Sequence, residues 1–224
     1  MNTHARRPAR RSIPGIALAT ALVLAGCSTI IDTTTDNGPV KTEQRDVSGF
    51  SKVSVGAGAR LTVTIGSAYH VEITAEEGVL ARIRSEVQGE RLVIEANGSI
   101  STSRRIEVRV TLPELSGIEL SGGAEGSASG VAADTFEVNV SGGSQATVSG
   151  TAGSIDIAAS GGSQAHLRGL SAGSARVDAS GGSRAELSAT DAVSGTASGG
   201  STVDLWGGAS LAVDTSGGSE AHSH

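Results

Sequence analysis

SGGSQATVSGTAGSIDIAASGGSQAHLRG, Ser141 to Gly169, holds one full period of the chain and the start of the next. The phrase recurs as SGGAEGSAS from Ser121, SGGSRAELS from Ser180, SGGSTVDLW from Ser198 and SGGSEAHSH from Ser216. Its leading serines stand 20, 19, 20, 18 and 18 residues apart. The same punctuation at a near-constant period is the signature of a solenoid. Ahead of each SGG, apolar or small residues alternate with polar ones: Phe136, Val138 and Val140, then Ile155, Ile157 and Ala159, then Ala175, Val177 and Ala179. The fifth copy has Val193, Gly195 and Ala197, and the sixth Leu211, Val213 and Thr215. After each SGG the alternation resumes with Ala146 and Val148, Ala165 and Leu167, Ala185 and Leu187, Val203 and Leu205. Period two means half-buried strands on both sides of a glycine bend. A looser third side, such as GTAGS or ATDAVSG, closes each turn.

Two strands and a loose third side per period describe one coil of a parallel β-helix, an all-β solenoid. Equivalent residues then stack about 4.8 Å apart, apolar columns inward and polar columns outward. The SGGS serines are expected to form a ladder, their hydroxyls bonding backbone or each other. Composition agrees. The 224 residues include 32 Gly but only two Phe, one Tyr and one Trp, which suits a narrow core of small stacked side chains. One cysteine precludes an intrachain disulfide. Past residue 26 the chain holds 13 Lys and Arg against 23 Asp and Glu, a balance that speaks against nucleic acid as a partner.

Residues 1–26 read as a signal peptide. Arg6, Arg7, Arg10 and Arg11 precede an apolar run from Ile16 to Gly26 that is too short to span a bilayer. The run ends in LAGC, which resembles the lipobox of bacterial lipoproteins. The resemblance implies cleavage before Cys27, lipid on its thiol and partnership with a membrane, and two or three acyl chains anchor stably. Ser28 rather than Asp then favours the outer membrane in a Gram-negative cell, and otherwise the outer face of the cell membrane. Residues 27–44, Thr-rich and polar, read as a flexible tether. The domain occupies 45–224, with repeats from 116 to 224. Its first half holds longer strands, around Phe50 to Val55, Leu61 to Ile65, Val71 to Ile73, Leu92 to Ile94 and Ile106 to Val110, and is expected to supply the first coils and a cap. Leu80 to Val87 reads equally as strand or as one or two helical turns.

Four passages in order resemble a known family: FSKVSVGAGARLTVTIG (Phe50–Gly66), VEITAEE (Val71–Glu77), LARIRSEVQGERLVI (Leu80–Ile94) and VTLPELSGIELSGG (Val110–Gly123), followed by the SGGS coils. This order is similar to the auto-transporter adhesin head, or GIN, domain family of bacterial surface proteins. The resemblance covers roughly 45–224. It implies a right-handed β-helix without recognised catalytic residues and, by analogy of fold, adhesion.

Candidate chemistry was sought on the outward columns. Asp156, Arg176, Asp178, Arg184, Glu186 and Asp204 fall within a few coils of one another, yet every column mixes charge with Ser, Thr, Gln or Ala. That pattern reads as a solvated face with cross-coil ion pairs rather than an active site. No hydrolase, metalloprotease or phosphate-loop motif is present. Calcium-binding repeats place Asp in the turn, where this chain has Ser. No catalytic, metal or cofactor residue is therefore assigned. Trp206 is expected at a corner, covering the coil that Gly195 leaves thin, and His222 and His224 read as a disordered end. Gln145, Thr147, Gln164, His166, Arg184, Glu186, Thr202 and Asp204 are expected to share one flat polar strip suited to an extended surface polymer or an envelope protein. A structural envelope module is the runner-up, a carbohydrate-active enzyme the third reading, and self-association is left open. On the anchor, Cys27→Ala is expected to abolish metabolic labelling by a clickable palmitate and partition into detergent phase. Labelling that survives the substitution contradicts the lipobox reading.

Overall fold

At each SGGS corner two consecutive glycines adopt positive φ, 63° at Gly161 and 74° at Gly162 for example, a bend that L side chains resist. A Cβ on Gly161 would stand 3.2 Å from the backbone nitrogen of Gly142 in the preceding corner, whereas one on Gly162 would meet nothing. The corners are bonded to one another: Gly143 N–H donates to Gly161 O and Gly162 N–H to Gly181 O, both at 3.0 Å. The serine ladder expected from the sequence exists, and it is built from the fourth residue of the phrase. Ser144, Ser163, Ser183 and Ser201 are buried. The hydroxyls of Ser163, Ser183 and Ser201 donate to the carbonyls of Val140, Ala159 and Ala179 in the preceding coil, at 2.9, 3.0 and 3.1 Å. A buried hydroxyl that finds a carbonyl escapes the desolvation penalty it would otherwise carry.

This computed structural model describes residues 37–102 and 104–224. The chain forms β1 (Val40–Arg45), β2 (Lys52–Val55), β3 (Arg60–Ile65), β4 (His70–Glu76), the single helical turn α1 (Glu77–Leu80), β5 (Ile83–Gln88), β6 (Arg91–Ala96), β7 (Glu107–Leu112) and β8 (Gly117–Leu120). The repeats follow as β9 (Glu125–Val140), β10 (Gln145–Ala159), β11 (Gln164–Ala179), β12 (Arg184–Ala197), β13 (Thr202–Trp206), β14 (Ser210–Thr215) and β15 (Glu220–Ser223). About two thirds of the described residues, 65%, are strand and 2% helix, wound as a β-solenoid of about 5 turns. The expected parallel β-helix is what the sequence forms.

β9 to β12 run unbroken from one Gly-Gly corner to the next and pair in parallel. The third side is thus strand as well, more regular than its sequence suggests. Register shifts fall near it, between Thr147 and Ser149 and between Leu167 and Ser171, and these bulges absorb the unequal coil lengths. The inward residues expected from alternation are buried throughout β9 to β11. Gly195 interrupts that column because a Cβ there would lie 1.9 Å from the Val177 carbonyl oxygen. In the last coil Leu211 and Val213 are only half-buried and Thr215 is exposed, since no later strand among the described residues covers them.

The first half is threaded in an order that the sequence does not reveal. β2 pairs in parallel with β6 on one side and β8 on the other, and β3 likewise lies between β7 and β9. The coil made by β2 and β3 therefore lies between a later segment, β6 with β7, and the first repeat. Antiparallel β4 and β1 extend one side and β5 the other. Leu80 to Val87 resolves into the end of α1 and then strand β5, where alternating exposure of Arg84, Glu86 and Gln88 matches the pairing with β6. The expected tether is shorter than 27–44, because residues from Val40 onward form β1. Opposite β4, that strand places Lys41, Glu43 and Arg45 against Ala75, Ile73 and Val71. Charges on the core-facing side of an edge strand discourage further pairing. Residues 1–36, including the expected signal peptide and Cys27, lie outside the described residues.

The register makes a sharp test. Val177 is 0% exposed, whereas the carboxylate of Asp178 is 46% exposed and accepts a bond from Thr196 Oγ1. Val177→Asp should cost several kcal/mol of the roughly 5–15 that hold a typical domain. Asp178→Val should cost less than about 1 kcal/mol. Equal shifts in the melting midpoint of the two variants would contradict this register.

Candidate functional site

The outward residues of the strands that follow the corners stack into two polar columns. One runs Thr74, Glu107, Arg60, Glu125, Gln145, Gln164, Arg184, Thr202, Glu220, and the other Glu72, Arg109, Thr62, Ser127, Thr147, His166, Glu186, Asp204, His222. All eight strip residues expected from the sequence lie on these columns, in neighbouring coils. The strip also extends across β3, β7 and β4, a continuation hidden from the sequence by the threading of the first half.

Much of the strip is engaged with itself. Gln145 Nε2 meets His166 Nε2 at 2.9 Å, and His166 Nδ1 meets Glu186 Oε2 at 3.0 Å. Arg184 donates from Nε to Glu186 and through its terminal nitrogen to Asp204, whose other oxygen faces His224 Nε2 at 3.2 Å. Asp204 points to the polar side as expected, but Arg184 and His224 cover it to 3% side-chain exposure. It is therefore not a free recognition group. Further along the strip, the Arg60 and then the Arg105 guanidinium bond to Glu125 and hold its carboxyl below the ordinary range. Thr147, Gln164 and Thr202 make no such bonds among the described residues and remain the adaptable positions.

Trp206 lies on the same outer face, one step beyond Asp204. It stacks on His224 with ring centres 4.6 Å apart at 13°, and the Arg168 guanidinium stands 4.7 Å from its ring centre. Its neighbours are thus polar side chains of other coils, so the expected role of filling for Gly195 is replaced by a cation–ring–ring stack. His222 pairs with Glu220 at 3.1 Å, and both terminal histidines pack on the strip rather than forming a loose end. Among the described residues no group of three or more His, Cys, Asp or Glu is placed to hold a metal.

The charged residues weighed as an active site separate onto two faces. Arg184, Glu186 and Asp204 belong to the strip. Asp156, Arg176 and Asp178 belong to the face formed by strands that precede the corners. That second face carries the two larger hollows, while a smaller one of about 140 Å³ lies on the strip over Arg60, Glu125, Gln145 and Thr147. A hollow of about 550 Å³ lies over β6, β2 and β8, lined by Lys52, Arg91, Glu95, Glu119 and the β5–β6 turn. A smaller one of about 300 Å³ lies over Glu137, Asp156 and Asp178. Lys52 Nζ bonds Glu137 at 2.6 Å, and Arg91 bonds Glu119 at 2.9 Å. Lys52 foremost, then Asn139 and Arg91, hold the Glu137 carboxyl below its ordinary range against the opposing effect of partial burial. These residues lie up to 85 positions apart in the chain, so no local signal announces the hollow.

Comparison with known proteins agrees with this geometry. The crystal structure of a putative adhesin from Bacteroides fragilis NCTC 9343 superimposes with a TM-score of 0.64 at 16% identity, over 82% of this chain and 97% of that one. A putative adhesin from Parabacteroides distasonis ATCC 8503 does so with a TM-score of 0.51 at 17% identity, over 83% and 98%. At such identities the likeness is one of fold. Among curated proteins none matches the chain. The family model described as putative auto-transporter adhesin, head GIN domain, matches residues 49–209, from just before the buried Phe50 through the corner after β13, and the chain belongs to that family.

Proposed function

We propose that the protein is a non-catalytic binding module of the cell surface, held to an extracytoplasmic membrane by lipid on Cys27, that receives an extended polymer or protein along its polar strip. The observation that carries this reading is the pair of outward columns in register across nine strands. A flat array repeating at strand spacing, about 4.8 Å, offers an extended partner the same kind of contact many times. Family membership supports adhesion by analogy alone. The structural reading, an envelope module with no ligand of its own, is favoured by one fact. Gln145, His166, Glu186, Arg184 and Asp204 already satisfy one another.

The network also selects the variants. Arg184→Ala would leave Asp204 buried without its guanidinium and so confound stability with binding. Thr147→Ala with Gln164→Ala removes two of the three free polar groups and should change stability by less than about 0.5 kcal/mol. The protein, purified in detergent, is expected to retain partners in a glycan array or an envelope pull-down without turning any over, and the double variant should lose them. Retention unaffected by the double variant overturns the strip as the contact surface. Polysaccharide cleavage lost on Asp156→Asn or Asp178→Asn overturns the non-catalytic reading.

A further inference from the structure

The outer face of β6, β2, β8 and the ends of β9 and β10 is an uncovered parallel sheet, and both faces of such sheets are normally covered. It also carries the two larger hollows. The larger hollow and the smaller one beyond it lie in line on this face, and the paired side chains of Lys52, Arg91, Glu119 and Glu137 fill the space between them, so the groove is two hollows with a ridge of ion pairs at its centre. The groove runs across the strands, along the solenoid axis. From Glu95 in β6 to Asp156 in β10 it crosses β2, β8 and β9, four strand spacings or about 19 Å. That is the length of about six residues of extended polypeptide.

Its charge is unbalanced. Both cations of the central ridge are already held, Lys52 by Glu137 and Arg91 by Glu119, with Glu137 a further 3.7 Å from Arg91. The carboxylates of Glu90 and Glu95 at one end and Asp156 at the other have no ion-pair partner among the described residues, and all three are exposed. Arg176 stands opposite Asp156 and is held by Asp178 at 3.3 Å, and Arg84 stands opposite Glu95, so six carboxylates (Glu90, Glu95, Glu119, Glu137, Asp156, Asp178) face four cations and an anionic chain would meet net negative charge. No aromatic ring lines the groove, so a neutral sugar would find nothing to stack on. A chain bearing ammonium or guanidinium groups on long side chains meets carboxylates at both ends and, between them, carboxylates whose own cations it could share.

We propose that this groove is a second interaction surface, distinct from the strip, and that it receives an extended peptide segment rich in Lys and Arg lying along the solenoid axis. The inference does not rest on the strip reading, because the two surfaces share no residue and are tested by different substitutions.

The test uses the full chain in mild detergent and fluorescein-labelled hexalysine, followed by fluorescence anisotropy at low and at physiological salt. The unmodified protein should bind, more weakly as salt rises. Glu90→Gln, Glu95→Gln and Asp156→Asn together should weaken binding about tenfold. Three neutralisations of exposed carboxylates away from both surfaces, Glu114→Gln, Asp134→Asn and Asp191→Asn, change net charge equally and should weaken it less than about threefold. Equal weakening by the two triple variants would show attraction by net charge alone and overturn the site. So would failure of the unmodified protein to bind hexalysine. A labelled glucosamine hexamer is run in parallel, and tighter binding of that cationic sugar than of hexalysine overturns the peptide assignment. Unchanged melting midpoints confirm that the variants are folded.

Discussion

Backbone lies directly on backbone at the Gly-Gly corners, and the fold depends on that contact. Positive φ at both glycines turns the chain, the missing side chain on the first lets each corner sit on the one before it, and the N–H of the second donates to the carbonyl of the next corner. Once the corners are stacked, the strands on either side have no choice of register. A slip by one residue would carry Ile157 or Val177 to the solvent face and a charged neighbour inward. The buried serines Ser163, Ser183 and Ser201 each add a bond from coil to coil, each worth about 1 kcal/mol net. That is modest, but a mispaired coil would forfeit it at every rung. Ala57 illustrates the rule from the other side. It holds positive φ, at 57°, in the corner between β2 and β3, where no Gly-Gly corner lies on its cap side.

Stacking of equivalent positions also decides what the surfaces can do. Each outward residue meets its counterpart one coil away, so complementary groups form chains of bonds, as in Gln145, His166, Glu186, Arg184, Asp204 and His224. Exposed pairs of this kind contribute only about 0–1 kcal/mol each. Their larger effect is to fix the side chains that make them. The face before the corners differs because residues of β6 and the β5–β6 turn help to line a larger hollow there, and because its carboxylates outnumber its cations. One face thus presents satisfied polar groups to an extended partner, while the other holds unsatisfied charge in a hollow.

The repeats were legible because their information is local. Alternation around each SGG places Phe136, Ile155, Val177 and Leu187 inside and the eight strip residues outside, and the structure agrees at each. Three features were not legible, each for a physical reason. The insertion of β2 and β3 between later segments is set by which edges pair, and alternation within a strand does not encode its neighbours. The burial of Asp204 depends on Arg184 and His224, each 20 residues away in sequence. The groove is assembled from Lys52, Arg91, Glu119 and Glu137, drawn from four strands of the threaded half and the first repeat. β1 was hidden for a simpler reason. VKTEQR is polar on both sides, and only its pairing with β4 marks it as strand.

The most direct test of the account separates the bend from the stacking. Gly142, Gly161 and Gly181 share positive φ with Gly143, Gly162 and Gly182, but a Cβ crowds the preceding corner, at 3.1 to 3.2 Å, only in the first set. Replacing each set of three with alanine imposes the same backbone strain in both proteins. The triple Gly142→Ala, Gly161→Ala, Gly181→Ala protein should melt well below the Gly143→Ala, Gly162→Ala, Gly182→Ala protein. Coincident melting midpoints would mean that the glycines serve only to turn the chain, and that contact between corners does not set the register of the coils.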